Sequence, residues 1–261
     1  MRLVFFGDVV GRPGRRAVGV VLRELRRQSA IDFVVANVEN TAGGKGVDPG
    51  SAEEMQDAGV DVLTTGNHVW QNRDIVPYLK ENGRLLRPLN FAPGVPGEGW
   101  VVRAARDGTP VAVLNLIGRV FMGPADCPFR AAEAIVPKLR QQAAVVLVDM
   151  HAEATSEKVG MARFLDGRVS AVVGSHTHVQ TSDESILPGG TAALTDAGMC
   201  GPEDSILGMR TDRVLERFLS QMPVRFEVAS GPVMVQGAVI DVDETTGRAT
   251  AIRRLRERVN G

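Results

Sequence analysis

Short apolar runs recur along the chain, several followed at once by polar or glycine-containing turns: Leu3 to Phe6, Phe33 to Val38, Val60 to Leu63, Val111 to Leu116, Ala143 to Val148 and Val169 to Val173. Runs of this length, apolar without alternation, suit strands buried on both faces, as in a sheet covered by helices. Helix-compatible segments lie between many of them. Arg15 to Gln28 carries apolar residues at helical spacing, and Ser51 to Ala58 and Ala131 to Gln142 also suit helices. The alternation predicts a layered α/β domain. Because Arg225 to Ile252 reads as strands with little helix, the expected form is an αββα sandwich of two sheets flanked by helices. Leu86 to Trp100, with three prolines and three glycines, reads as a long ordered loop, a length that is uncommon unless functional. No repeat, low-complexity tract or linker divides the sequence, so residues 1–261 are read as one domain.

An apolar share of 44% and a charged share of 23% describe an ordinary globular core. The formal net charge of −1 offers no global attraction to nucleic acid or to an anionic membrane, so a phosphate-bearing ligand must be held locally. Cys127 and Cys200 are too few and too far apart for a disulfide framework or a thiolate knuckle, and both are expected to be buried thiols. No stretch reaches the length of a membrane span and the first residues lack signal-peptide features, which predicts a cytoplasmic protein.

Polar residues suited to metals cluster just after the apolar runs: GDVVG at 7–11, VENTAGG at 38–44, TGNH at 65–68, DMHAE at 149–153 and GSHTH at 174–178. In layered α/β folds the carboxyl ends of strands line the ligand crevice, so these segments can meet at one point. All four histidines, His68, His151, His176 and His178, fall in them. Each alone is more economically a core or surface histidine, but together they read as a site. On a turn, the two histidines of GSHTH can each face a different metal, which suits a dinuclear centre. Asp8 and Glu39 supply anionic oxygen, Asn40 and Asn67 amide oxygen, and the imidazoles nitrogen; without thiolate this set suits iron, manganese, zinc or similar ions and not a structural zinc site. Singly, Asp8 also suits a turn or helix cap, and Asn67 a turn before a helix.

GD at 7–8, GNH at 66–68, a lone His151 after a strand and H-x-H at 176–178, in that order, resemble the calcineurin-like metallophosphoesterases. Within that superfamily, VENTAGGKG, TTGNHVW, HAEATSEK and GSHTHVQTSD resemble the YmdB-like branch, described as hydrolysing cyclic nucleotides such as 2′,3′-cyclic AMP, over nearly the whole chain. Two departures from the superfamily pattern belong to that branch. The usual D-x-H is Asp8-Val9-Val10 here, and the bridging aspartate of GDxxD is replaced by Glu39, with Asn40 filling the vacancy. The resemblance implies a metallophosphoesterase-like fold and two metal ions, divalent or trivalent, iron or manganese foremost and zinc as a further option. One ion would be held by Asp8, Glu39, Asn40 and His178, the other by Glu39, Asn67, His151 and His176, with Glu39 as the bridge. His68 would be the catalytic proton donor.

Gly43 and Gly44 are weaker candidates for approach to a phosphate, and Asp149, Thr155, Ser156, Glu157 and Asp183 for orienting ligands. Two metals roughly 3.5–4 Å apart can activate a bridging hydroxide for in-line attack, while an imidazole protonates the departing alkoxide. The expected activity is therefore phosphodiester hydrolysis, with a cyclic nucleotide or other small phosphodiester as partner and neither membrane nor bulk nucleic acid. Homo-oligomerisation is left open. The same core also serves phosphomonoesterases and nucleases, and a metal-bearing regulator or RNA-binding module is the reading from outside enzymology.

Overall fold

The computed structural model describes residues 1–260. The chain runs through β1 (Arg2–Phe6), β2 (Asp8–Val9), α1 (Gly11–Gln28), β3 (Phe33–Asn37), α2 (Pro49–Asp57), β4 (Val62–Thr64) and α3 (Ile75–Glu81). Next come β5 (Trp100–Ala104), β6 (Pro110–Ile117), α4 (Pro128–Arg140), β7 (Val145–His151), α5 (Thr155–Phe164), β8 (Ala171–Ser175), β9 (Ser185–Ile186) and β10 (Ala192–Leu194). β11 (Met199–Pro202), α6 (Thr211–Ser220), β12 (Val233–Val242) and β13 (Ala249–Val259) follow.

The strands form two sheets, one ordered β2-β11-β12-β1-β3-β4 with β13 on the other edge of β12, the other ordered β5-β6-β7-β8-β10-β9. Alternate residues of each inner strand face different cores. Leu3, Phe5, Phe33 and Val35 of the first sheet meet Val113, Leu147 and Val173 of the second between the sheets. Val4, Phe6, Val34 and Ala36 turn the other way and pack with Val18, Leu22 and Leu25 of α1. On the far side of the second sheet, Leu114, Val146 and Val148 pack with Val136 and Leu139 of α4 and Met161 of α5. Both faces of these strands are apolar because both are covered, and the layers are helix, sheet, sheet, helix as expected.

Strands β1, β3 and β4 are parallel, and so are β6, β7, β8 and β10. The carboxyl ends of β3 and β4 therefore open on one side of the first sheet, and those of β7 and β8 on one side of the second. Residues 86–99 form no helix or strand, as expected. Their path is fixed by Arg87 N donating to Glu98 O at 3.0 Å and by the Asn90 side chain, which donates to Ile117 O and accepts from Ile117 N.

The element boundaries differ in a few places. α1 starts at Gly11, four residues before the periodic stretch, because Pro13 fits a first helical turn where its missing N–H costs nothing. The run at Val60 becomes a strand only at Val62, since Gly59 turns in left-handed backbone and the Asp61 carboxylate is occupied in accepting from Val34 N. One expectation about the thiols is corrected: Cys200 is buried, but Cys127, beside the exposed Asp126 where the chain enters α4, is partly accessible.

Candidate metal centre at the strand ends

Each segment singled out in the sequence leaves a strand end toward the same hollow. Asp8 opens β2, Glu39 and Asn40 follow β3, Asn67 and His68 follow β4, His151 ends β7, and His176 and His178 follow β8. The structure brings all of them into one continuous set of contacts. His176 Nδ1 lies 3.1 Å from His151 Nε2, which lies 3.1 Å from Asn67 Oδ1 and 3.2 Å from Glu39 Oε1. Glu39 Oε1 is 3.3 Å from His68 Nδ1, and His68 Nδ1 is 3.0 Å from Asn40 Oδ1. Asn40 Nδ2 lies 3.1 Å from His178 Nε2, itself 3.7 Å from Asp8 Oδ1. Asp8 Oδ2 closes the circuit by accepting from the His176 backbone N–H at 2.9 Å.

The tautomer of His151 follows from its neighbours. Ser175 Oγ donates its single proton to Asp149 Oδ1 at 2.6 Å, so at 2.9 Å from His151 Nδ1 it must accept. With Nδ1 protonated, His151 turns Nε2 toward Glu39 Oε1, Asn67 Oδ1 and His176 Nδ1, acceptors that a proton on Nε2 or a metal ion can join. Lone pairs aimed at one point need a cation between them. Glu39, His151 and His176 each offer a ligand atom there, all within 4.8 Å of one another. Beside it, the fully buried Asp8 keeps Oδ1 without a hydrogen-bond partner. A buried, unpartnered carboxylate oxygen is costly unless a cation completes it, so the donor set fits a metal.

The electrostatics agree. Burial opposes ionisation of Glu39, but His151 and His68 outweigh it and hold the carboxyl well below its usual range. Burial likewise opposes charge on His151, yet Glu39, Asp8 and Asp149 raise it to about 9, whereas His176 is pushed down to about 3 by burial and by the charge on His151. Burial raises Asp8 as well. The cluster thus gathers one positive charge onto an imidazole, the demand that a bound cation would meet.

The weaker candidates divide. Asp149 is an orienting group, accepting also from Asn37 Nδ2 at 3.1 Å and from Thr64 Oγ1. Glu157 instead holds the Arg119 and Val120 backbone N–H groups, and Asp183 binds Thr181 and Thr195; neither touches a histidine. Thr155 and Ser156 begin α5 without a side-chain cap bond. Gly43 has open space where a β-carbon would stand, while a β-carbon on Gly44 would press on Met209 and Val228, so Gly44 serves packing.

Sequence reasoning missed Asn37, Ser175, Glu153 and Gly66. Glu153 Oε2 lies 3.2 Å from His176 Nε2, the ring nitrogen opposite the one that faces His151. A β-carbon on Gly66 would overlap the His151 ring and stand 2.6 Å from Glu39 Oε2. The signal for Gly66 was present in TGNH as a glycine one residue before a donor, but only the fold places another strand's histidine against it.

Over the centre lies a cleft of about 390 Å³, lined by Gly44, His68 and Glu153 on its polar side and by Leu207, Phe218 and Phe226 on its apolar side. A larger hollow of about 880 Å³ among Arg12, Arg15 and Arg73 contains none of the donors. Among the described residues no helix is long and apolar enough to cross a membrane.

Comparison with known proteins finds relatives that match nearly the whole chain. The chain is 43% identical over 255 residues, 98% of its own length and 96% of the relative's, to the 2′,3′-cyclic-nucleotide 2′-phosphodiesterase of Bacillus subtilis (strain 168). It is 33% identical to a putative phosphatase/phosphodiesterase of Mycoplasma pneumoniae, covering 98% of this chain and 92% of that one. A solved structure described as a novel phosphatase of Mycoplasma pneumoniae superposes with a TM-score of 0.92 at 31% identity, over 99% of this chain and 93% of that one. A hypothetical protein from Thermus thermophilus superposes with a TM-score of 0.92 at 41% identity, over 99% of both chains. Fold and relatives define the class, a phosphoric ester hydrolase of the metallophosphoesterase fold. Within it, the model of YmdB-like proteins matches residues 4–255, and the chain belongs to that family.

Proposed function

We propose that this chain is a metal-dependent phosphodiesterase acting on cyclic nucleotides, 2′,3′-cyclic AMP foremost, from one domain formed by the whole sequence. The observation that carries the reading is the circuit of donors around Glu39, with His68 beside it. One metal would be held by Asp8, Glu39, Asn40 and His178, the other by Glu39, Asn67, His151 and His176. Iron or manganese suits these donors best, with zinc next. Asn40 now turns Nδ2 toward His178, and a half-turn of the amide exchanges its oxygen and nitrogen. Bound ions supply an activated water nucleophile and neutralise phosphoryl charge.

The remaining work falls to the protein. Burial of Asp8, Glu39 and His151 keeps bulk water from the donors. Gly66 leaves room for Glu39 and His151 to approach, and the Asp149–Ser175 chain keeps the proton of His151 on Nδ1. His68 Nδ1 lies 3.3 Å from Glu39 Oε1 and can donate a proton there, a contact that the turn of the Asn40 amide leaves in place. Its ring is part-exposed at the cleft, so Nε2 is placed to hand a proton to the departing sugar oxygen. The apolar cleft wall gives the nucleoside a surface to lie on.

The Bacillus subtilis relative supports the diester; the Mycoplasma pneumoniae relative's name includes a phosphatase, which supports monoester hydrolysis as the second reading. Metal analysis of the purified protein, with turnover of 2′,3′-cyclic AMP, a 3′,5′-cyclic nucleotide and a phosphomonoester under one metal, decides. Two metals per chain and fastest turnover of the 2′,3′-cyclic nucleotide are expected. Monoester turnover above that of every diester would overturn the diesterase assignment.

A further inference from the structure

His176 and His178 both adopt left-handed backbone, at φ 99° and 64°. On a regular strand residues two apart share a face. Here the paired left-handed turns send His176 to His151 and His178 to Asn40. Residues with a β-carbon stay in this region only where their surroundings over-determine them.

Thr177, between them, is what the surroundings grip. Asp196, just after β10, accepts at Oδ2 from Thr177 Oγ1 at 2.7 Å and from the Thr177 backbone N–H at 3.2 Å, while Oδ1 accepts from Gly198 N at 2.8 Å. The same Oδ2 accepts from Lys158 Nζ of α5 at 2.6 Å, and both charged side chains are all but inaccessible, at 2% and 1%. Lys158 reaches this point by crossing Gly174, where a β-carbon would stand 2.8 Å from its Cδ. A buried ion pair brings little net stability, because desolvation offsets the attraction. Its value here lies in what the carboxylate holds.

We infer that the Lys158–Asp196 pair is a positioning device for His176 and His178, clamping Thr177 by main chain and hydroxyl so that the two imidazoles serve different metal ions. The inference rests on the two-metal reading above. Thr177 also lines the cleft, whereas Lys158 and Asp196 do not; the pair acts through Thr177 and the histidines.

The test compares Thr177→Val, Thr177→Ser and the double variant Lys158→Met/Asp196→Asn, which removes both charges together. Metal content per chain, the chelator concentration for half loss of metal, and the melting temperature are measured on each. Thr177→Val and the double variant should release metal at roughly ten- to a hundredfold lower chelator, the usual consequence of losing a group that orients a ligand. Thr177→Ser, which keeps the hydroxyl, should match the parent. Parent-like chelator midpoints in Thr177→Val and in a folded double variant would overturn the inference, as would a lowered melting temperature with metal affinity unchanged. If the double variant does not fold, the Thr177 pair decides alone. A parent protein that binds no metal would instead refute the metal-centre reading, before any variant is compared.

Discussion

Replacing Gly66 with alanine adds one carbon to the centre and tests the packing of its donors directly. The new β-carbon would stand 2.6 Å from Glu39 Oε2 and closer still to the His151 ring, where ordinary contact begins at 3.4 Å. Glu39 must therefore retreat by roughly 0.8 Å and His151 by more, against a tolerance of about 0.2 Å for metal–ligand distances. Neither has free space to retreat into. His151 is fully buried with Ser175 and Asn37 at its Nδ1, and Glu39 is 1% exposed. Displacements near 1 Å cost on the order of 10²-fold in rate even without loss of metal. Gly66→Ala is expected to be folded, depleted in metal and at least about 10²-fold slower. Gly43→Ala is the control: its β-carbon meets nothing within 4 Å, and its left-handed backbone adds only strain of about 1–3 kcal/mol. Elemental analysis, thermal melting and turnover on the two variants give the answer. Full metal content and parental turnover in Gly66→Ala would show that the donors do not occupy the places assigned to them.

Glu39→Ala should lose both metals and all activity, while Asn40→Ala should weaken mainly the site shared with Asp8 and His178; two-metal occupancy in Glu39→Ala, read by elemental analysis, would contradict the bridge. His68→Ala should keep both metals, lose about 10²–10⁴-fold on a cyclic nucleotide and clearly less on a diester with a nitrophenolate leaving group. Equal losses on both substrates would assign His68 to phosphoryl binding instead. Asp149→Asn presents an N–H₂ group to Ser175, whose proton then turns to His151 Nδ1 and forces the imidazole proton onto Nε2; chelator titration should show a loss of about 10–100-fold in metal affinity. Burial pushes the Cys200 thiol up to about 12, against roughly 8.5 in an unfolded chain. The stability this group contributes is whole below about pH 8.5 and is lost as pH rises toward 12, so melting temperatures should fall less steeply with rising pH in Cys200→Ala. At about pH 8, near the ordinary thiol range, a thiol reagent should modify Cys127 in the native protein and Cys200 only in denaturant; native labelling of Cys200 would refute the burial argument.

The inner strands were legible because coverage on both faces makes their sequence continuously apolar, as at Phe33 to Val38 and Val111 to Leu116. α5 was not legible. Its buried positions are Glu157, Lys158, Met161 and Ala162, so two charges stand where helical periodicity needs apolar residues. The short strands β2, β9 and β11, of two to four residues, carry too few positions for any pattern. At the site, the candidate donors stand out only as a group: each singly suits a core, a turn or a cap, but five such segments directly after apolar runs read as one site. The groups behind them do not: Asn37 and Ser175 are ordinary strand residues until β3, β7 and β8 set them beside His151. Glu157 and Asp183 illustrate the opposite error, since acidic residues near a motif find structural partners just as readily.

The pairing of β1 with β12 sets an order of events during synthesis. β1 lies between β3 and β12, with Arg2 opposite Asp241, and Asp8 is aligned by Met199 of β11. Arg2 and Asp241 are 239 residues apart in sequence. At about 5–20 residues per second, a ribosome makes that interval in roughly 10–50 s, during which Leu3 to Phe6 lack one of their two neighbouring strands. Asp8 is therefore aligned by β11 and flanked by a complete β1–β12 pair only after the chain through Asp241 has been made. On the two-metal reading, the site shared by Asp8 would be completed only once β12 has paired, after the segments that carry Glu39, Asn40 and His178 have been made.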